Sequence, residues 1–207
     1  MMKVSSKGTL VVISGPSGGG KGTVVKMLKE LMPTVGVSVS ATTRKPREGE
    51  CDGREYYFIS HDDFEKMISE DEILEYTTYC GNYYGTPKKE AERIMGEGKD
   101  LILEIEVEGA AQIKKKYPDA VTIMLLPPSI TELESRLRGR GTETDEVILS
   151  RLARAREEIL LAPGYDYVVV NGDGDIEGCA RTIMNIITSQ RSRTTRMKDV
   201  IDNFISK

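Results

Sequence analysis

A glycine-rich loop, set between an apolar run and an amphipathic run, constrains this chain more than any other feature. Residues 9–14 are largely apolar and predict a strand, whereas in residues 21–32 the apolar side chains recur at helical spacing. Consecutive glycines allow backbone N–H groups to turn toward an anion, and the following helix adds the positive end of its dipole. Such a loop is typical of nucleoside triphosphate binding, with its lysine reaching the β and γ phosphates. Its residues are Gly15, Pro16, Ser17, Gly18, Gly19, Gly20, Lys21, Gly22 and Thr23.

The residue after the lysine departs from the usual form of this loop. That position normally carries a Ser or Thr whose hydroxyl binds Mg²⁺, and here it is Gly22. The hydroxyl is then supplied by Thr23 or is missing, so we expect Mg²⁺ to be held mostly through water rather than by direct protein ligands. A flexible glycine turn with one solvated lysine is the alternative, and the flanking strand and helix disfavour it.

Strand and helix patterns alternate through most of the chain. This alternation predicts an α/β fold with a parallel sheet, helices on both faces and ligands at the carboxyl ends of the strands. A middle stretch has little helix and many turns, with a polar turn at 81–85. The predicted strands are 35–41, 56–59, 73–79, 100–107, 120–126 and 165–170; the predicted helices are 62–69, 87–96 with Thr86 as N-cap, 110–116, 130–138 with Ser129 as cap, one from Asp145, and 176–190.

Composition excludes several classes of protein. A length of 207 residues suits one domain, and 39% hydrophobic residues are enough to form a core. The net charge of −4 gives no reason to expect nucleic acid or an anionic membrane as partner, and the longest apolar runs fall far short of a membrane span. Three widely spaced cysteines fit neither a disulfide framework nor a metal site, which favours a cytoplasmic protein. His61 is the single histidine, and the run Ser60-His61-Asp62-Asp63 is typical of a polar helix start, so His-based triads and multi-histidine metal sites have almost no material.

A second group of residues points to an anionic ligand. Arg44 and Arg47 flank Pro46 in a polar loop, and the proline favours an extended backbone that presents both guanidinium groups to one phosphate. By itself this pattern is more typical of a solvated charge run. It gains weight from Tyr56 and Glu75, which lie in the same part of the chain.

Seven motifs together resemble bacterial guanylate kinases along nearly the whole chain: GPSGGGKGT, SVSATTRKPREGE, GREYYF, GNYYGTP, LEIEVEGA, RLRGRGTET and YDYVVVN. The resemblance implies phosphoryl transfer from ATP to GMP, with Mg²⁺ accompanying ATP, on the core of a P-loop NTPase. It also implies a core formed by 1–37, 87–135 and 156–190, a GMP-binding insert at 38–86, a mobile lid at 136–155 and a peripheral C-terminal helix at 191–207.

The resemblance also assigns the GMP contacts. Ligands of the GMP phosphate are Arg44, Arg47, Tyr56 and Tyr84, and contacts to guanine come from Ser40, Glu75 and Thr86. This assignment makes chemical sense, because guanine presents N1–H and a 2-amino group on one edge and a carboxylate accepts from both. Adenine has an acceptor at N1 and leaves the carboxylate unpaired, and such sites discriminate by about 10⁴.

Two glutamates stand out in the predicted strand at 101–107. A period of two places Glu104 and Glu106 on one face, and carboxylates inside a parallel strand need a cation or a ligand to offset desolvation. The resemblance places Glu104 near the base and ribose of GMP and Glu106 at a water-mediated Mg²⁺ contact. Glu108 stands where the family has Gln.

Arginines follow in the segment that resembles the lid. Arg136 and Arg140 are four residues apart on one predicted helix face, and Arg151 lies beyond a glycine-flanked loop. These three match the lid arginines of the family, which with Lys21 and Arg44 neutralise the transferring phosphoryl group. Asn171 matches a residue beside the adenine of ATP. For the other arginines, Arg138, Arg154 and Arg156, we expect solvated positions on the helix surface.

Two rival functions remain open from the sequence. One is a kinase with a related core that acts on another acceptor, such as a ribose bisphosphate; the GMP-binding motifs argue against it. The other is an inactive scaffold whose GMP pocket binds a phosphopeptide, and the whole phosphate loop argues against that. The expected partners are ATP and GMP, and the sequence leaves dGMP tolerance and the choice between monomer and homodimer open.

Overall fold

Strands and helices alternate from Leu10 to Ile205 in a computed structural model that describes residues 8–79, 81–139, 141, 143–172 and 174–206. The strands are β1 (Leu10–Ser14), β2 (Val35–Val37), β3 (Ala41–Thr42), β4 (Tyr57–Phe58), β5 (Ile73–Tyr79), β6 (Asn82–Pro87), β7 (Asp100–Glu104), β8 (Val121–Leu126) and β9 (Tyr167–Val170). The helices are α1 (Lys21–Leu31), α2 (His61–Ser69), α3 (Lys88–Gly96), α4 (Val107–Lys116), α5 (Ile130–Gly139), α6 (Asp145–Ile159), α7 (Ile176–Gln190) and α8 (Lys198–Ile205).

Among these residues, five strands form a parallel sheet in the order β2-β7-β1-β8-β9. Strand β1 lies at its centre, with Ile13 opposite Glu104 of β7 on one side and Ile123 of β8 on the other. Because all five strands run in the same direction, their carboxyl ends meet at one edge. The predicted α/β fold with a parallel sheet is therefore confirmed.

Helices cover both faces of this sheet. Val11 and Val12 are neighbours in β1 and point to opposite faces, as the two-residue period of a strand requires. Val11 packs in a buried cluster with Leu28 of α1 and Ile183 of α7. Val12 packs in another cluster on the opposite face, which includes Ile113 of α4. The helices thus cover both faces of the sheet and leave the ends of its strands accessible to ligands.

The middle of the chain forms a second sheet, of strand order β4-β3-β6-β5 in the described residues. It has a small core of its own, in which Ala41, Phe64 and Ile73 are buried. The continuous strand predicted at 35–41 is wrong, because β2 joins the main sheet through β7 whereas β3 pairs with β4 and β6. The chain passes from one sheet to the other between these two strands.

Three other predicted boundaries are wrong for tertiary reasons. The turn predicted at 81–85 is mostly strand β6, which pairs with β5. Thr86 and Pro87 end that strand, so α3 begins at Lys88 with Pro87 as its N-cap. Strand β7 stops at Glu104, three residues earlier than predicted, because Glu106 is the N-cap of α4.

Local signals at other places are confirmed. The bounds of β5 and α7 agree with the prediction. Ser60 caps α2 by accepting a hydrogen bond from the Asp63 backbone N–H at 3.1 Å, and Ser129 accepts one from Glu132 at 3.0 Å. None of the helices in the described part of the chain is long and apolar enough to cross a membrane.

The central strands should be the most sensitive part of the fold to loss of volume. Ile123 is completely buried in β8, so Ile123→Ala should lower the free energy of unfolding by about 2–5 kcal/mol, through lost apolar burial and the cavity left behind. Ile205→Ala is the matched control, because Ile205 is 79% exposed; it should change stability by less than about 0.5 kcal/mol. Equal effects of the two substitutions in urea unfolding would contradict this account of the core.

Candidate functional site

A cleft of about 610 Å³ lies at the carboxyl edge of the main sheet and extends to the second sheet. Its walls come from the phosphate loop, the end of β7, strands β5 and β6, and helix α6. The sequence-predicted site residues that line it are Ser17, Ser40, Arg47, Tyr56, Glu75, Tyr84, Glu104, Glu106 and Arg151.

A larger cavity, of about 940 Å³, lies at the opposite edge of the sheet. Leu10 and Asp100, at the amino ends of their strands, line it together with Arg196 of the C-terminal segment. None of the predicted site residues that the structure describes is part of this cavity. The smaller cleft is therefore the candidate functional site.

The loop after β1 has the geometry of an anion cradle. Gly19 N–H donates to Pro16 O at 3.0 Å, and Gly20 has φ of 92°. A Cβ added at Gly20 would lie 2.4 Å from Nδ2 of Asn171, so both the backbone angle and the space require glycine. Helix α1 begins at Lys21, and the positive end of its dipole points toward the loop.

Two of the predicted site residues, Asn171 and Arg136, lie beside this loop. Asn171 is buried after β9, and its Nδ2 donates to Gly19 O at 2.9 Å. Arg136 of α5 donates from Nη2 to Asn171 O at 3.2 Å and from Nε to Glu132 at 2.7 Å. The structure thus places both side chains beside the phosphate loop, although they are 35 residues apart in the chain.

Helix α6 reaches the same loop. Arg151 donates from Nη1 to Oγ of Ser17 at 3.3 Å, and its Nη2 lies 2.7 Å from Oε1 of Glu143. Arg140, which we also predicted from the sequence, lies outside the described residues. The structure therefore places a guanidinium group of α6 directly beside the loop that follows β1.

Carboxylates face the lysine of the loop. Lys21 Nζ donates to Gly15 O at 2.5 Å and lies 3.7 Å from Oε1 of Glu106. Burial raises the pKa of Glu104 above its usual range, and the positive charge of Lys21 opposes that shift. Thr23 is exposed on the first turn of α1 and is not part of the cleft wall.

Glu75 is the most deeply buried carboxylate of the cleft wall, with 2% of its surface exposed. Thr86 Oγ1 donates to its Oε1 at 2.7 Å from the neighbouring strand β6. Burial raises the pKa of Glu75 to about 7, against the lowering effect of the hydrogen bond from Thr86. The charge of this carboxylate therefore changes near neutral pH.

Arg44 lies beside the cleft and is already paired. Its two terminal nitrogens bind the carboxylate of Glu50 at 2.9 and 3.0 Å, and its guanidinium lies 5.5 Å from the ring centre of Tyr56. The rings of Tyr56 and Tyr84 are 5.9 Å apart. Burial raises the pKa of Tyr56, so its hydroxyl remains a hydrogen-bond donor at neutral pH. Arg47 lines the cleft, and its backbone N–H binds Glu50 at 2.7 Å.

One expectation about helix α6 is wrong. Arg154 and Glu158 line the cleft rather than forming a solvated surface, and Glu158 is only 7% exposed. Their side chains pair at 2.8 Å, and Arg154 lies over the ring of Tyr79. The helical spacing of Glu158 from the buried residues Leu152 and Ala155 is the sequence signal that indicates its burial.

Arg138 stays on the surface as expected. It pairs with Glu134 at 2.9 Å and also with Asp145, and both partners are substantially exposed. Arg156 is exposed as well, so of the three arginines expected in solvent Arg154 alone lines the cleft.

A glycine-rich phosphate loop at the carboxyl edge of a parallel sheet, facing a cleft with basic side chains, defines a P-loop nucleotide-binding enzyme. The guanylate kinase family model matches residues 7–190. A guanylate kinase from Carboxydothermus hydrogenoformans is 47% identical over 191 residues, covering 92% of this chain and 93% of that protein. Another, from Lactococcus lactis, is 49% identical over 199 residues, covering 96% and 95%.

The fold agrees with these sequence relatives. The crystal structure of guanylate kinase from Anaplasma phagocytophilum has a TM-score of 0.76 and 35% identity to this chain, and covers 94% of this chain and 92% of that one. This chain belongs to the guanylate kinase family.

The hydrogen bond from Thr86 should partly offset the effect of burial on the pKa of Glu75. Thr86→Val keeps the volume of the side chain and removes the donor, so the pKa of Glu75 should rise above about 7. Carboxyl ¹³C chemical shifts recorded against pH would measure this change. Thr182→Val on the exposed face of α7 is the control and should leave the titration unchanged. A carboxyl that titrates in the ordinary range of glutamate in both proteins would show that Glu75 is not buried.

Proposed function

We propose that this chain transfers the terminal phosphoryl group of ATP to GMP, giving ADP and GDP, and that both nucleotides meet in the cleft at the carboxyl edge of the main sheet. The observation that carries the proposal is that Ser17 of the phosphate loop and the buried carboxylate of Glu75 line one continuous cleft. One side of such a cleft suits a triphosphate and the other suits a guanine base.

We assign ATP to the phosphate loop. The amides of residues 15–20 and the start of α1 offer partial positive charge to the phosphates, and Lys21 supplies a full charge. Lys21 already touches Gly15 O and lies near Glu106, so it is held where phosphate oxygens would replace these partners. Asn171 is assigned to the adenine side; its Oδ1 is buried and has no hydrogen-bond partner among the described residues.

We assign GMP to the side formed by the second sheet. Glu75 would accept from N1–H and the 2-amino group of guanine, while Thr86 and Ser40 are the other proposed base contacts. Thr86 donates to one oxygen of Glu75, and Glu75 itself lines the cleft. Glu104, raised in pKa by burial, would lie near the base and ribose.

The GMP phosphate would bind between the two arginines of the loop after β3 and the two tyrosine hydroxyls. A phosphate that bound Arg44 would replace Glu50 as its bidentate partner. Arg47, Tyr56 and Tyr84 line the cleft beside it, which supports the same location.

Transfer itself requires positive charge more than covalent chemistry. The attacking phosphate oxygen of GMP is anionic near neutral pH, so no general base is needed. Lys21, Arg136, Arg140 and Arg151 would stabilise the charge on the transferring group, together with Arg44. The bond between Arg151 and Ser17 supports this role, because it already places one guanidinium beside the loop.

The oxygen-rich end of β7 suits a hydrated Mg²⁺ ion. Magnesium prefers oxygen ligands and usually keeps several waters, and the carboxylates of Glu104 and Glu106 face the phosphate loop from this end. We propose that Glu106 contacts the ion through water. Thr23, the other candidate from the sequence, is exposed outside the cleft wall, which gives this role less support. When bound with ATP, Mg²⁺ neutralises phosphate charge.

The proposed division of the chain follows from these assignments. Residues 38–86 would form the GMP-binding insert and 136–155 the lid. The core would comprise 1–37, 87–135 and 156–190, and 191–207 would be a peripheral helix. We propose that the enzyme acts in the cytoplasm on ATP and GMP.

Acceptor specificity tests the proposed function. ADP formation from Mg·ATP should be fast with GMP and weak with AMP, CMP, UMP or a ribose bisphosphate. The Lys21→Ala variant, prepared in the same way, should lose about 10²-fold or more in kcat and controls for contaminating kinases. Turnover with another acceptor would mean that the second sheet binds that acceptor rather than GMP. Tight GMP binding without turnover would indicate a scaffold protein.

The ionisation of Glu75 should appear in the pH dependence of GMP recognition. Guanine needs the ionised carboxylate, so affinity for GMP should fall about tenfold between roughly pH 8 and pH 6, as protons titrate a group whose pKa is about 7. The phosphate of GMP also titrates near pH 6, and this contribution is the same for the wild type and for every variant. Glu75→Gln is therefore the matched control.

The variant should bind GMP more weakly and keep only the pH dependence of the phosphate. Isothermal titration calorimetry at several pH values would separate the two profiles. If the wild type and Glu75→Gln gave parallel profiles, Glu75 would not be a ligand of the guanine base.

A further inference from the structure

Helix α4 of the core supports the strand that carries Glu75. The helix and β5 run in opposite directions, so residues 116 to 108 of the helix meet residues 74 to 77 of the strand. Lys116 Nζ donates to Leu74 O at 2.8 Å, and Thr77 Oγ1 donates to Glu108 Oε2 at 3.1 Å. Between these two hydrogen bonds, Gly109 and Gln112 of α4 also contact β5.

Gln112 pairs with the backbone of the strand at a single residue. Its Oε1 accepts from Tyr76 N–H at 3.2 Å, and its Nε2 donates to Tyr76 O at 2.7 Å. Strand β5 is at the edge of its sheet, with Tyr76 opposite Gly85 of β6. The primary amide therefore takes the place that the peptide group of a further strand would have.

Gly109 lies one helical turn before Gln112 and faces the residue before Tyr76. A Cβ added at Gly109 would be 2.2 Å from Oε2 of Glu75, so any side chain at this position would collide with the carboxylate. Residues three apart share one face of a helix. One face of α4 thus accommodates the Glu75 side chain and binds the backbone of the next residue.

The register of β5 makes this attachment important. The pairing of β5 with β6 shifts between Ile73 and Tyr76, which places Glu75 within an irregular segment of the strand. A regular ladder fixes side-chain direction through its own hydrogen bonds, whereas an irregular segment needs another support. Gln112 supplies two hydrogen bonds directly after the irregularity.

We propose that Gln112 is a positioning residue of the guanine site: its amide fixes Tyr76 and thereby the direction of the Glu75 carboxylate. This inference rests on the proposed function, in which Glu75 binds guanine. Strand β5 keeps other attachments without Gln112, because Leu74 is buried in the main core and Lys116 still holds its carbonyl. Loss of the amide should therefore loosen Glu75 and leave the fold intact.

Gln112→Met provides the test, since methionine has a similar length and forms neither hydrogen bond. The KM for GMP should rise about five- to tenfold, the effect of one or two lost hydrogen bonds, with the KM for ATP within about twofold of wild type. The preference for GMP over inosine monophosphate, which lacks the 2-amino group, should narrow. Hydrogen exchange at the Tyr76 amide should accelerate.

Two further variants serve as controls. Gln112→Glu keeps the acceptor for Tyr76 N–H and loses the donor to Tyr76 O, so its KM for GMP should lie between those of wild type and Gln112→Met. Gln190→Met removes the other glutamine of the chain, which is buried at the far end of α7. It should leave both the KM for GMP and the preference over inosine monophosphate unchanged.

The outcomes distinguish this inference from the proposed function. Wild-type GMP kinetics in Gln112→Met, with accelerated exchange at Tyr76, would overturn the inference alone, because the amide would then be only structural. Equal losses for GMP and ATP with a large fall in Tm would overturn it as well. A wild-type enzyme that does not phosphorylate GMP would overturn the proposed function, and this inference with it.

Discussion

The parallel pairing of β1 with β7 and β8 is the constraint on which the candidate site depends. The register places Ile13 beside Glu104, and the chain then leaves both strands at the same edge of the sheet. The phosphate loop follows one strand, the carboxylates follow the other, and Asn171 follows β9 at that edge. Segments that are far apart in the chain are brought together because parallel strands end together. The helices on the two faces stabilise this arrangement, while the basic side chains come from α1 (Lys21), α5 (Arg136) and α6 (Arg151).

A second property of the site is that two of its carboxylates are shielded from water. Glu75 is buried beside Thr86, and Glu104 is half-buried at the end of β7; in both carboxyls the loss of water contact raises the pKa. An ionised group held away from water is poorly satisfied until donors of a ligand replace the lost water. A guanine edge has such donors, whereas an adenine edge presents a lone pair. Selectivity in our proposal thus derives from the energetic cost of burying a carboxylate.

The sequence predicts those parts of the structure that are determined by local contacts, and it does not predict those determined by distant ones. The phosphate loop was predictable because its glycines, strand and helix are contiguous. Thr86 has the local signal of a helix cap, yet strand pairing with β5 and a bond to Glu75 determine its position. The charge pattern of α6 predicts a solvated position for Arg154, because it does not show which face of the helix meets the cleft. Gln112 carried no sequence signal, since its partners are backbone atoms of a strand 36 residues away.

The ion pair of Arg44 with Glu50 has a consequence for competition among anions. In this structure the guanidinium has a bidentate carboxylate partner from its own loop. Any small anion that arrives, such as inorganic phosphate or sulfate, must compete with a tethered partner of high effective concentration. In our proposal the base of a nucleotide binds elsewhere in the cleft and holds its phosphate nearby, so a nucleotide would displace Glu50 more readily. The loop would thereby act as a built-in competitor that discriminates against ligands lacking a base.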